Sequence, residues 1–349
     1  MKDVLLEVSN LKKYFPVLSG ILRKRIGDVK AVDDVSFHIE KGETLGLVGE
    51  SGSGKTTIAR SILRAIDPTS GKIMFHGGKG SVDLATLHGR DLRLIRRRMQ
   101  MIFQDPYASL NPRMTVLELV AEPLVNLRIG TAAEQKERVA ELLKVVGLDP
   151  RFMSRYPHAF SGGQRQRIGI ARALVLNPDL VVCDEPVSAL DVSIQAQVLN
   201  LVKRLQSEFD LTYLFIAHDL SVVKHLCDRV CVLYVGKIVE VGETKSLFRK
   251  PKHPYVEALL SAVPRPDPRY KVDHMVSYGE PADPARRPSG CAFHPRCPYA
   301  QDICRTEEPK LTRVDGGETD ASAGTGTNGA RWSACHFADT LDLNGVGSA

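Results

Sequence analysis

The chain reads as an α/β protein with a parallel sheet, and three observations predict that class. The apolar run Thr44-Leu45-Gly46-Leu47-Val48 enters a glycine-rich loop that is followed at once by a helical pattern. From Gln164 onward, helix-length and strand-length patterns alternate, as crossovers between parallel strands require. The 349 residues can bury a full core and exceed the usual single-domain length, which predicts a main domain with subdomains or an extension.

Taken in order, residues Leu5 to Val48 read as strands, with alternating apolar positions at Val35, Phe37 and Ile39. Thr57 to Ala65 reads as a helix that stops near Asp67-Pro68, since proline cannot continue it. From about Asp91 to Ser161 the pattern turns helical, broken by Asp105-Pro106 to Pro112 and by Gly147-Leu148-Asp149-Pro150, so a helical subdomain is expected there. The short strand Met101-Ile102-Phe103 lies within it. A helix from Gln164 to Leu176, a strand from Leu180 to Asp184, a helix from Ile194 to Phe209 and a strand from Thr212 to Ala217 resume the core. After about Gly242 the composition shifts to proline, histidine and cysteine, with one periodic run at Tyr255 to Ala262, which predicts a docked extension. Gly316 to Gly329 is rich in Gly, Thr, Ser and Ala and reads as a flexible loop.

The formal charge of +6 permits an anionic partner. Part of that excess sits in one run, Arg93 to Arg98, and phosphate loops need cations in any case, so no nucleic-acid partner is expected. No stretch approaches the roughly 18 to 20 uninterrupted apolar residues of a spanning helix. The N-terminus lacks an apolar signal core, so the expected location is cytoplasmic. In that reducing setting the seven cysteines point to metal or packing before disulfides.

Gly49-Glu50-Ser51-Gly52-Ser53-Gly54-Lys55-Thr56 fits G-x-x-x-x-G-K-[ST] between a predicted strand and a predicted helix. Glycines let backbone N–H groups converge on phosphates, and the helix N-terminus adds partial positive charge. Gly49, Ser51, Gly52, Ser53, Gly54, Lys55, Thr56 and Thr57 are therefore the expected nucleotide contacts, with Lys55 reaching the β- and γ-phosphates and Thr56 ligating Mg2+. The apolar strand ending in Asp184-Glu185 supplies two carboxylates, Asp184 for Mg2+ and Glu185 as the general base that polarises the attacking water. Alone, such a pair would be an ordinary strand end; with the glycine loop it becomes a candidate site.

Ser161 is a good N-cap, and Ile168, Ala171, Leu174 and Val175 fall on one face of the helix that follows. Ser161, Gly162, Gly163 and Gln164 thus open a second anion-binding helix end. If the glycine loop holds the triphosphate of its own chain, this second end is available to the γ-phosphate of another chain's ATP.

The sequence Phe160-Ser161-Gly162-Gly163-Gln164, continued through Arg165 to Leu174 and joined to the glycine loop and the acidic strand end in that order, resembles the ATP-binding subunit of an ABC transporter. The resemblance covers about residues 4 to 245. It implies a P-loop NTPase of the ABC type, α/β, with an antiparallel β subdomain, a helical subdomain and a Cys-containing C-terminal extension. The implied domains are an ATP-binding domain at 1–245, with a helical subdomain at about 91–161 inserted, and an extension at 246–349. It implies Gln104 as a Mg2+- and water-sensing glutamine, His218 as a γ-phosphate contact, Asp191 in the dimer-contact loop after Ser188-Ala189-Leu190, and an aromatic residue stacked on adenine. Phe15 is favoured for that ring by its spacing from Leu11, with Tyr14 the alternative. The implied partners are a second ATP-binding subunit, identical or related, two transmembrane permease subunits and, indirectly, an extracytoplasmic solute-binding protein. The place would be peripheral, at the cytoplasmic face of the plasma membrane. A soluble ATPase of the same superfamily, in DNA repair or translation, is the alternative; the interval from Gln104 to Ser161 is too short for a coiled-coil insertion, and only one cassette is present.

Lys252-His253-Pro254-Tyr255 and Gly290 to Pro298 resemble the C-terminal region of the oligopeptide and dipeptide importer subfamily, implying peptide as the solute. Cys291, Cys297, Cys304 and Cys335 lie there, with five, six and thirty residues between them, unlike the short C-x-x-C knuckles of zinc ribbons. In some members of the subfamily four such cysteines carry a 4Fe–4S cluster, which all-thiolate ligation suits. Zinc assisted by His294 or His336, or no metal, are the alternatives. Cys183, Cys227 and Cys231 fall in core patterns and are expected to pack.

Overall fold

A computed structural model describes residues 3–20, 24–78, 80–262, 282–314 and 330–346. The chain divides into two compact units, residues 1–86 with 216–349 and residues 87–215. The predicted loop at 316–329 lies outside the described residues.

The first unit opens with two long antiparallel strands, β1 (Val4–Ser19) and β2 (Lys24–Glu40), followed by β3 (Thr44–Val48), helix α1 (Lys55–Ile62), β4 (Ser70–Phe75) and β5 (Val82–Asp83). The order β2-β1-β4-β5 forms the antiparallel subdomain. Val35, Phe37 and Ile39 are fully buried, as their alternation predicts. β1 runs on through Pro16, within the stretch that reads as strands. Its pairing with β4 ends at Lys12, so among the described residues no strand lies on that edge of β1 beyond this point and a residue without an N–H is tolerated. Helix α1 starts at Lys55 and stops at Ile62, three residues before the predicted end, because Arg64 takes a left-handed backbone with φ 54.

The second unit contains α2 (Gly89–Arg96), β6 (Met99–Ile102), α3 (Val116–Asn126), α4 (Ala132–Val145), α5 (Gly162–Leu174), β7 (Leu180–Asp184), α6 (Val192–Phe209) and the first four residues of β8 (Thr212–Ala217). Its strands lie in the order β8-β7-β6, with β6 and β7 parallel and Ile102 opposite Cys183. Helices α3 and α4 each begin with a reciprocal capping box, Thr115 with Glu118 and Thr131 with Glu134. Helix α5 buries more than one face, since Ile170 and Ala173 are enclosed along with Ile168, Ala171 and Leu174. It is packed against α3, α4, α6 and β6.

The chain then completes the first unit with α7 (Leu220–Leu226), β9 (Arg229–Tyr234), β10 (Lys237–Glu243), α8 (Thr244–Arg249), α9 (Pro254–Ser261), α10 (Asp302–Thr306), β11 (Thr312–Arg313) and β12 (Trp332–Ser333). β9 runs parallel to β3, and β10 returns antiparallel to β9. β12 adds to β10, with Val241 opposite Trp332, so the extension contributes strands to a sheet of this unit. Beside that pairing, Arg331 Nε donates to the fully buried Glu240 carboxylate at 3.0 Å. Burial pushes the Glu240 carboxyl up, and Arg331 opposes that shift. Cys183, Cys227 and Cys231 are buried as packing residues.

Candidate nucleotide-binding site

In the first unit, β3 delivers the glycine loop and α1 leaves it. Gly49 and Gly54 have φ of 151° and 106°, and a Cβ on either would stand 2.2 Å from Leu233 O or 2.3 Å from Ala31 O, so glycine is required by backbone conformation and by close approach. The loop is tied down by Gly236 N–H donating to Ser53 O at 2.8 Å. The buried Lys55 ammonium donates to Gly49 O at 2.7 Å and Glu50 O at 2.9 Å, so a cation is held inside the loop. No side chain caps the start of α1, where Thr56 and Thr57 are half-buried. Ser51 and Gly52 are exposed at the loop crest, and Ser53 is buried.

Phe15 presents an exposed ring, with Lys13 Nζ 5.0 Å from its centroid. Tyr14 instead donates its hydroxyl to Asp33, which also accepts from Arg287 at 2.7 Å. Burial and the neighbouring Asp33 push the Tyr14 phenol up to about 12. His218 follows β8 in an exposed position, one residue before Asp219, which caps α7.

In the second unit, β7 ends at the buried Asp184, and Glu185 adopts a left-handed backbone with φ 46. Such a conformation is uncommon for a residue with a Cβ and is a form of local strain found at functional positions. Glu185 accepts a hydrogen bond from Gln104 Nε2 at 2.8 Å, bringing together two side chains that the sequence separates by 81 positions. Gln104 stands two residues past the end of β6. Ser188 Oγ donates to Glu185 O at 3.1 Å, and Asp191 stands exposed at the start of α6.

Ser161 caps α5 in a reciprocal box: Ser161 N–H donates to Gln164 Oε1 at 3.0 Å and Gln164 N–H to Ser161 Oγ at 3.4 Å. The helix begins at Gly162, directly after Ser161, as the expected serine cap requires. Gly163 is buried, and a Cβ there would meet Ile194 Cγ2 at 2.5 Å. Gly163 therefore has a packing role against the start of α6 in addition to any anion it meets.

Cys291, Cys297, Cys304 and Cys335 line one small apolar cavity of about 20 Å³ together with His294 and His336. Among the described residues, however, no group of three or more His, Cys, Asp or Glu side chains is arranged to hold a metal ion, so the expected four-thiolate set is not formed. Burial pushes the Cys297 and Cys335 thiols up to about 12 and about 11, and His294 and His336 hydrogen-bond to the carbonyls of Cys291 and Glu307 at 3.0 Å. The thiol donors suit an iron–sulfur cluster in kind and do not fit one in arrangement.

Sequence reasoning missed two partners of the glycine loop. Glu50 N–H donates to the Tyr255 hydroxyl at 2.9 Å, and the Glu50 carboxylate pairs with Arg296 at 2.8 and 2.9 Å. These residues lie 205 and 246 positions away, and no local pattern announces them.

No described helix is long and apolar enough to cross a membrane. Residues 32–188 match the family described as ABC transporter, and residues 239–304 match the oligopeptide/dipeptide transporter C-terminal region. The oligopeptide transport ATP-binding protein AppF of Bacillus subtilis is 54% identical over 313 residues, covering 89% of this chain and 94% of that protein. The ATP-binding cassette MJ0796, solved as a dimer in a post-hydrolysis state bound to ADP and Pi, aligns with a TM-score of 0.60 and 30% identity, over 69% of this chain and 99% of that one. The cassette cbiO1 of Clostridium perfringens, part of the transporter complex cbiONQ, aligns with a TM-score of 0.59 and 27% identity, over 70% of this chain and 91% of that one. With the glycine loop, the acidic strand end and the serine-capped glycine helix each in place on this α/β fold, the chain belongs to the ABC transporter ATP-binding proteins, in the oligopeptide/dipeptide branch.

Proposed function

We propose that the chain is the ATP-hydrolysing subunit of an importer of di- and oligopeptides, paired with an identical or related subunit beneath two transmembrane permease subunits at the cytoplasmic face of the membrane. An extracytoplasmic binding protein delivers the peptide, which does not touch this chain. In this reading residues 1–245 form the ATP-binding domain, with a helical subdomain at about 91–161, and 246–349 form the extension.

Lys55 and the backbone of residues 49–54 hold the β- and γ-phosphates, and Phe15, whose ring is open while Tyr14 is engaged by Asp33, stacks on adenine. Thr56, Asp184 and Gln104 would hold Mg2+, which would supply charge neutralisation at the phosphates. Glu185 accepts a proton from the attacking water, with Gln104 orienting its carboxylate and His218 reaching the γ-phosphate. Ser161, Gly162, Gly163 and Gln164, with Asp191, complete the site around the partner subunit's ATP. The Gln104–Glu185 hydrogen bond carries the hydrolytic part of this reading, since it already orients the candidate base.

The peptide assignment rests on residues 239–304, whose match also disfavours a soluble repair or translation ATPase. The finer reading that the four cysteines take up a 4Fe–4S cluster has the donor chemistry in its favour and the side-chain arrangement against it. Iron and acid-labile sulfide measured on anaerobically purified protein decide it; a colourless, iron-free preparation excludes the cluster. For the importer, we expect the chain to co-purify from membranes with a multi-spanning partner and to support ATP-dependent peptide uptake. Salt-sensitive DNA binding with no membrane partner overturns the reading.

A further inference from the structure

The contacts that hold the glycine loop from outside come from the C-terminal region. Arg296, 9% exposed, places both terminal nitrogens on the two carboxylate oxygens of Glu50 at 2.8 and 2.9 Å. Tyr255 accepts the Glu50 N–H at 2.9 Å, so one loop residue has its main chain and its side chain fixed together. The Glu50 carbonyl in turn accepts from Lys55 Nζ at 2.9 Å, which extends the chain of contacts to the cation of the loop.

On its other side, Arg296 closes the short 3-10 turn His294–Arg296, and Cys291, His294 and Cys297 of the same stretch line the four-cysteine cavity. Phe293 packs against Tyr255 and Tyr234 with ring centroids 5.3 and 5.4 Å apart, and the Arg296 guanidinium lies 5.7 Å from the Phe293 ring. Residues 291–297 therefore have the cavity on one side and the glycine loop on the other.

The loop motif leaves position 50 open, so nothing in phosphate binding calls for an acid there. A bare carboxylate in the loop repels a triphosphate; a bidentate guanidinium neutralises it and fixes its direction. We propose that Arg296 is a positioning residue of the glycine loop, neutralising Glu50 and transmitting the packing of the four-cysteine cavity to the residues that grip the ATP phosphates. The proposal rests on the reading of residues 49–56 as the ATP loop.

The test measures affinity of the full-length protein for a fluorescent ATP analogue, together with KM and kcat for ATP. Arg296→Ala should weaken binding about tenfold and act on KM more than on kcat, because the freed carboxylate opposes the phosphates. Adding Glu50→Gln to Arg296→Ala should restore affinity to within about threefold of the parent, a rescue that a merely structural role does not produce. Unchanged affinity in Arg296→Ala, or no rescue by Glu50→Gln, overturns the neutralising role. Should Arg296→Ala fail to fold, Arg296→Lys, which keeps the charge and loses the fork, carries the same comparison at smaller amplitude. For transmission, Cys297→Ser should shift affinity in the parent and not in the Arg296→Ala/Glu50→Gln background; equal shifts in both overturn it. Lys55→Ala separates the underlying reading, since intact affinity there shows that residues 49–56 are not the ATP loop, whatever Arg296 does.

Discussion

Glu185 combines a left-handed backbone with a hydrogen bond from Gln104, so its carboxylate is aimed by two constraints before any substrate arrives. Glu185→Gln keeps the shape and removes the basicity. Turnover is expected to fall by about 10²- to 10⁴-fold while ATP binding persists and a nucleotide-bound dimer accumulates, as read by phosphate release and size-exclusion chromatography with ATP. Gly163 illustrates a different residue-scale demand. The Cβ of Gly163→Ala would sit 2.5 Å from Ile194 Cγ2, so the Ile194 side chain or the start of α6 must shift. A loss of about 1–3 kcal/mol in urea denaturation is expected, with partial recovery when Ile194→Ala makes room.

At the scale of elements, β2 and β9 belong to different sheets yet bring His38 beside Arg229, whose Nη1 donates toward His38 Nε2 at 3.2 Å and also to Glu43 Oε1 at 3.0 Å. Burial and the Arg229 charge lower the imidazole pKa to about 4, so the folded ring is neutral where the unfolded one is protonated. Below the unfolded value near 6.5 the unfolded chain takes up the proton first. Stability is therefore lost as pH falls from about 6.5 to about 4, and this contribution levels off below that window. The difference in urea midpoint between pH 7.5 and pH 5 should shrink in His38→Gln; an unchanged difference removes His38 from the account.

For the whole molecule, the extension after residue 246 is integral to the first unit. β12 pairs with β10, and the buried Glu240 carboxylate depends on Arg331 from the same segment. Arg331→Ala removes the counter-charge of that buried carboxylate, which keeps the Lys252 N–H at 3.0 Å, and is expected to cost about 3–5 kcal/mol, measured by urea denaturation, while Arg331→Met with Glu240→Leu should recover most of it. Assembly sets a second expectation at this scale. Ser161→Arg should abolish turnover while leaving ATP binding to the monomer largely intact, because α5 serves the partner's nucleotide in the proposed dimer. Loss of ATP binding by the isolated subunit would assign α5 to its own site.

The sequence by itself determined what is written in short-range pattern. The glycine loop, the strand Leu180–Asp184 with its two carboxylates and the serine cap of α5 were all legible, because each depends on residues within a few positions of one another. The end of α1 drifted by three residues because a left-handed residue, Arg64, decided the boundary. Only the tertiary structure decided that Gln104 meets Glu185, that β12 joins β10, and that Arg296 and Tyr255 hold Glu50. The cysteines show both sides. Their clustering was visible in the chain, whereas their facing one cavity without a metal-holding arrangement was not. The physical reason is common to these cases: a contact between distant residues leaves no periodicity in the sequence, and burial and partner geometry exist only once the chain has folded.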